Sequence, residues 1–469
     1  MKPGIEMKFK KECFLLIVFP IFILLFAGCK NRHSNLVVKQ DNITQNEDTP
    51  QKFNVNFFLE NSGSMNGYME GPNTTFKNQL YSLLTRVKLL SNTHLNLWLI
   101  NKGEKELYPD AGNDDLQKFK DILNPTSFRD LTKGDSLGET DLNNLIKRCI
   151  KKVDDKNVSI FVSDCIYSPG KNVKDATKYL ADQKNGIFLN TATELKNKDL
   201  SIIILNCVAD FKGNYWDRSD NKITFSKPVN RPYYIWIIGM TNHINAIIQS
   251  NILEHIDGGY SQKIAFQRIN KNSTPEFDII PNSGAGKFRL KQGEKDLVNN
   301  AVKSNNSLDK GLFGFAIAVD FSKSIHDKSF YLDSNNYTIK GGNFHWLKIE
   351  PLTNQPPFTH LLNFQTNELI DDSLQINVIE KIPLWVSQIS TPDDSRMLYD
   401  SNLRKKTFGF EPLIEGLSAA FNTSNGQNTI GSIKIKICKE HTHINSGFLI
   451  IFLVVAVAFL IFFIIKKSR

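Results

Sequence analysis

The run Phe53-Asn54-Val55-Asn56-Phe57-Phe58-Leu59 leads straight into Glu60-Asn61-Ser62-Gly63-Ser64-Met65. That places a carboxylate and two hydroxyls at alternate positions of one loop. Two more oxygen donors follow. Thr140, in Gly138-Glu139-Thr140-Asp141, stands where a loop opens into a helix, and Asp164 follows Ser163 at the end of the apolar run 158–162. Hard divalent cations such as Mg²⁺ take oxygen ligands in near-octahedral order, which hydroxyls, carboxylates and water supply. Other chemistries lack their parts. Gly63-Ser64-Met65-Asn66-Gly67 has Met where a GxSxG elbow needs its Ser. No His is placed by motif to activate a hydroxyl. Neither a P-loop nor a GxGxxG sequence is present. His441 and His443 read as a solvated pair, and Asp320 as a strand-end cap.

The donors need elements to hold them. Residues 53–59 read as a strand. Residues 75–91 carry Leu80, Leu83, Leu84, Val87 and Leu90 at helical spacing. Residues 95–100 are the next strand, 116–123 a short helix, and 141–153 another helix. Strand 158–162 follows, then helical stretches within 173–195. Apolar strands at 201–208 and 233–238 and a helix from Thr241 to Ile256 complete the set. Apolar strands alternating with helices imply an α/β domain with a doubly wound, mostly parallel sheet over residues 52–256. The donors then fall at carboxyl edges of strands, where open α/β sheets bind ligands. From Gly258-Gly259 to about residue 440 short alternating runs predominate, at 264–269, 313–320, 330–332, 346–349, 374–379 and 433–437. They imply a β-rich region with a lone helix at 411–421.

The strand-end pattern resembles the metal-ion-dependent adhesion site of von Willebrand factor A (vWA) domains. That family's motif reads Asp-x-Ser-x-Ser, then a Thr, then an Asp. Glu60, Ser62, Ser64, Thr140 and Asp164 take those places. The resemblance implies direct or near-direct metal contact for Ser62, Ser64 and Thr140. It implies water-mediated roles for Asp164 and Glu60, and an acidic group from a partner to complete the shell. The ion it implies is Mg²⁺, with Mn²⁺ or Ca²⁺ as alternatives. The chain departs from the family at Glu60, whose extra methylene suits a larger ion better than Mg²⁺. Asn61, Met65, Tyr68 and Asp141 are expected on the ligand-facing rim.

The ends place the chain. Lys2, Lys8, Lys10 and Lys11 precede an apolar run, 14–26, that closes on Ala27-Gly28-Cys29. Residues 1–28 resemble a bacterial lipoprotein signal, with Cys29 the lipidated first residue. Residues 29–51 are a polar tether. Residues 446–465 are expected to form a transmembrane helix, followed by the cytoplasmic tail 466–469 with Lys466, Lys467 and Arg469. What lies between is expected to face the periplasm from the inner membrane. The net charge is +9, and the two ends hold more than half of it, so the exported part gives no case for nucleic acid. Cys149, Cys165, Cys207 and Cys438 show no metal-site spacing. With 33 Phe in the chain, apolar material suffices for folded cores.

The expected function is a membrane-anchored, extracytoplasmic binding module. It would grip a protein partner's carboxylate through a divalent ion. A hydrolase using the same pocket, or a structural subunit of an envelope complex with a vestigial site, are the alternatives.

Overall fold

The structure, a computed structural model, describes residues 53–71, 74–90, 93–131, 140–269, 274–426, 428–440 and Val457. The leader with Cys29, the tether and all but one residue of the C-terminal apolar run lie outside these. Among the described residues no helix is long and apolar enough to cross a membrane.

The fold is mixed α/β. Strands β1 (Asn54–Glu60), β2 (His94–Ile100) and β4 (Asn157–Ser163) run parallel at the heart of a seven-stranded sheet. β3 (Glu104–Tyr108) pairs antiparallel on the outer edge of β2. Successive residues of β1 and β4 are buried, so both faces of this part are covered. Helices α1 (Thr75–Leu89), α2 (Asn113–Ile122), α3 (Pro125–Asp130), α4 (Leu142–Lys151) and α5 (Ala176–Leu195) supply that cover. Thr74, Asn124, Asp141 and Asp175 cap α1, α3, α4 and α5 with side-chain oxygens, satisfying backbone donors that a helix start leaves open.

Beyond β4 the sheet is not parallel, which corrects the expectation. The apolar runs at 201–208 and 233–238 belong to two long strands, β5 (Leu200–Trp216) and β6 (Lys222–Met240). They form one antiparallel hairpin, and β6 lies antiparallel on β4. A parallel return needs a crossover of a dozen or more residues, usually a helix. Residues 209–232 carry no helical apolar period. They hold instead a turn in which Asp217 accepts from the backbone of Ser219 and Asn221, and Asp220 adopts a left-handed backbone. After helix α6 (Thr241–Gln249), strand β7 (Gln262–Gln267) joins the edge of this same sheet beside β5. The order is β3-β2-β1-β4-β6-β5-β7.

The remaining strands make two sheets around a second core. Five strands run β12-β15-β18-β10-β9 and four run β13-β14-β11-β8, with β8 at Glu276–Ile280, β9 at Lys287–Lys291, β10 at Glu294–Val302 and β11 at Phe313–Asp320. The others are β12 (Tyr337–Lys340), β13 (His345–Pro351), β14 (His360–Thr366), β15 (Asp372–Ile379) and β18 (Thr429–Lys439). Phe315, Ile317 and Leu362 from one sheet and Leu374, Ile376 and Ile435 from the other share that core, which makes a sandwich. Residues 330–332, expected as a strand, lie in a 3-10 turn.

The helix expected alone in the β-rich region belongs elsewhere. Between β15 and β18 the chain leaves the sandwich through helix α7 (Leu384–Gln388) and the short pair β16 (Ser390–Thr391) and β17 (Thr407–Phe408). Helix α8 (Phe410–Asn425) then packs on α5. Phe410, Leu413, Leu417 and Phe421 are buried in the first core, and Phe410 stacks on Tyr234 at 4.1 Å. A Cβ at Gly416 would stand 2.6 Å from the Lys184 carbonyl, so the missing side chain lets the two helices approach. The first core therefore draws on residues before the sandwich and on a segment inserted between its strands β15 and β18, and no single cut near residue 256 separates the two cores.

Candidate metal centre

The parallel register builds the site. Leu59 pairs with Val162, so the next step along both strands sets Glu60 beside Ser163. Ser163 Oγ donates to Glu60 Oε2, and Thr140 Oγ1, at the entry to α4, donates to Glu60 Oε1 at 3.1 Å. The chain then turns through Ser62 and Gly63 into a 3-10 helix, Ser64–Tyr68. This brings Ser62 Oγ and Ser64 Oγ to 3.0 Å of one another. Asp164 follows β4. Its Oδ1 accepts from the Ile166 backbone at 3.3 Å, while its Oδ2 is buried with no hydrogen-bond partner. The next residue, Cys165, holds a left-handed backbone, φ +53°, that non-glycine residues seldom adopt. The turn is pinned by Cys165 N donating to Ser163 Oγ at 2.7 Å and by the Trp236 ring N–H donating to the Cys165 thiol at 3.3 Å.

All five expected donors thus meet at one place, from three segments of chain. Glu60 and Asp164 are almost fully buried. Burial, then the charge of Asp164, raises the Glu60 carboxyl to about 7, against the hydroxyls of Ser163, Ser62 and Thr140. Burial likewise raises Asp164, and the Ser64 hydroxyl is the first group to offset it. Two adjacent buried carboxylates with a partnerless oxygen are costly unless one holds a proton or a cation is shared between them.

The donor set fits a divalent cation. Ser62 and Ser64 present adjacent hydroxyls, and Asp164, close enough to Ser64 to feel its hydroxyl, has its Oδ2 outside hydrogen-bond geometry. Thr140 spends its proton on Glu60 and keeps its oxygen lone pairs. Glu60 is engaged at both oxygens by hydroxyl protons, so it orients donors rather than offering a bare oxygen. One Glu60 carboxylate spans Thr140 and Ser163. Among the described residues no three His, Cys, Asp or Glu side chains gather as a metal site. The cluster is rich in hydroxyls instead. No described histidine hydrogen-bonds to either serine.

The rim is only partly as expected. Asp141 is exposed and accepts from Asn144 N at 3.0 Å as the cap of α4. With Thr140 it lines a cleft of about 660 Å³ that also takes in Asn101, Tyr179 and Gln183. Asn61 is buried, donating to the Phe128 carbonyl at 3.4 Å. Met65 and Tyr68 are not on the rim at all, because both are fully buried. Tyr68 packs edge-on to Phe211 and donates to the Pro232 carbonyl at 2.5 Å. A Cβ at Gly67 would run into the Phe211 ring, so β5 rests directly on the site loop.

Sequence reasoning did not rank Ser163 as a site residue, although it sits beside Asp164 in the strand. Arg231 gave no sequence signal. Its place beside the site comes from the β6 hairpin.

No family model, no curated protein and no solved structure matches this chain.

Proposed function

We propose that this chain is an extracytoplasmic binding module of vWA type, anchored in the inner membrane. It holds a divalent cation at Ser62, Ser64, Thr140 and Asp164, and a carboxylate of a protein partner completes the shell. Mg²⁺ is the ion favoured, with Mn²⁺ and Ca²⁺ as substitutes. The observation that carries the reading is the partnerless Asp164 Oδ2, buried beside the Ser62–Ser64 hydroxyl pair at the carboxyl edge of the parallel strands. The doubly wound vWA architecture draws support from the β2-β1-β4 parallel centre with β3 antiparallel at its edge. The antiparallel β6 between β4 and β5 is this chain's departure from it. The leader ending at Cys29, the apolar run 446–465 and the basic tail support a periplasm-facing chain.

When bound, the ion supplies positive charge for an anionic group. The chain's own residues hold and orient the donors: Glu60 fixes the Thr140 and Ser163 hydroxyls, and the Cys165 turn aims Asp164. The test is calorimetric titration of the full chain, purified in detergent, with Mg²⁺, Mn²⁺ and Ca²⁺. Binding by wild type that is abolished in Ser64→Ala with Asp164→Ala supports the reading. No binding by wild type, or binding that the double variant retains, contradicts it. Silence of the wild type would point to a scaffold with a vestigial site.

A further inference from the structure

Arg231 is a buried cation without an anion. Its side chain is fully enclosed, yet no described carboxylate lies within ion-pair distance. Its guanidinium stacks on Tyr215, 4.4 Å from the ring centre, and lies 5.6 Å from that of Phe211. Nη1 donates to the Met397 sulfur at 2.7 Å and to the Arg404 carbonyl at 3.4 Å. Nε and Nη2 have no hydrogen-bond partner. Burying an unpaired charge is expensive, so a guanidinium held this way needs a compensating field. The Asp164 carboxylate is one source of that field. Ser163 pairs with Tyr234 in β6, which sets Arg231 just past the carboxyl edge of β4. The adjacent residue, Pro232, accepts the Tyr68 hydroxyl from the site loop. The charges of Arg231 and Asp164 act on one another.

Two carboxylates would neutralise a divalent ion and leave it little pull on a third. Two carboxylates and a fixed guanidinium leave the loaded centre net positive. We infer that Arg231 is a specificity-determining positioning residue. It weakens the centre's hold on the bare cation and strengthens the loaded centre's hold on an anionic group. This rests on the metal reading above. Arg231 touches neither ion nor ligand. It acts through the field across a water-poor site, where charges interact more strongly than in solvent.

The test uses Mn²⁺ and acetate on the full chain in detergent, with free Mn²⁺ followed by electron paramagnetic resonance. In wild type, acetate tightens Mn²⁺ binding and neutral acetamide does not. Arg231→Met binds Mn²⁺ alone more tightly, by up to about tenfold, and loses most of the acetate effect. Arg231→Lys, which keeps the charge, behaves as wild type. A merely structural role would weaken both readouts together. Failure of wild type to bind Mn²⁺ overturns the metal reading itself. Mn²⁺ binding that Arg231→Met leaves unchanged, or weakens along with the acetate effect, overturns only this inference. If Arg231→Met does not fold, Arg231→Gln read in the same two titrations decides, and Mn²⁺ affinity and acetate effect both as in wild type overturn the inference.

Discussion

Glu60 is one of two buried carboxyls whose ionisation the site opposes. Its folded carboxyl sits near 7, against an ordinary 4.5, because it is buried beside Asp164. The sign follows from linkage. Below pH 4.5 both the folded and the unfolded carboxyl hold a proton, and nothing is lost. As pH rises towards 7 the unfolded chain ionises first, and stability drains away until the folded group ionises too. Metal-free protein should therefore melt at lower temperature at pH 8 than at pH 5, and Mg²⁺ should recover the loss at pH 8. Glu60→Gln should flatten the pH dependence of the melting temperature, as read by circular dichroism. A slope as steep as wild type would count against this. Gly67→Ala, which drives a methyl into the Phe211 ring, should lose ~1–3 kcal/mol in chemical denaturation. The donors Ser62, Ser64, Thr140 and Asp164 were legible because each sits at a strand end or helix start that hydrophobic patterning marks. Ser163 and Arg231 were not, because their roles arise from the register of β4 beside β1 and of β6 beside β4. Met65 and Tyr68 misled because a loop next to a site looks exposed in sequence, while the 3-10 turn folds both side chains inward.

Among the elements, α8 shows how far the first core extends along the chain. Leu417 is fully buried on its inner face. Leu417→Ala should cost ~2–5 kcal/mol, measured by urea denaturation, as other large-to-small core changes do. A chain ending at residue 269 should lack a cooperative unfolding transition, since α8 no longer covers α5. A sharp transition in that fragment would contradict the packing. The salt bridge Lys184–Glu415 between the same helices, 2.8 Å but well exposed, should matter little by comparison. The parallel strands were readable from their continuous apolar runs. The β5–β6 hairpin was misread because buried strands give the same apolar run whether they pair parallel or antiparallel. The connection decides, and the turn after Asp217 was the overlooked signal. The helix at 410–425 was legible as a helix, but its amphipathic pattern does not say which core it covers.

At the scale of the molecule, the sandwich is spliced into the chain between β7 and α7, and the last strand, β18, returns to it before the C-terminal apolar run. That order was hidden because contact between α5 and α8 spans all of the sandwich strands but β18 in sequence. The charged ends and the two apolar runs were legible from composition alone, and they carry the proposed topology. Protease added to spheroplasts should therefore digest the region 30–440, while an epitope after Arg469 survives until the membrane is permeabilised. Loss of the epitope in intact spheroplasts would reverse the orientation.

The central claim is a cation held by hydroxyls and one free carboxylate oxygen. Anomalous diffraction from Mn²⁺-soaked crystals of the full chain tests it most directly. The account predicts one anomalous peak in contact with Ser62 Oγ and Ser64 Oγ, close to Asp164 Oδ2, with Glu60 still bound to Thr140 and Ser163. No peak there, or a peak coordinated by Glu60 with both serines turned away, would contradict it.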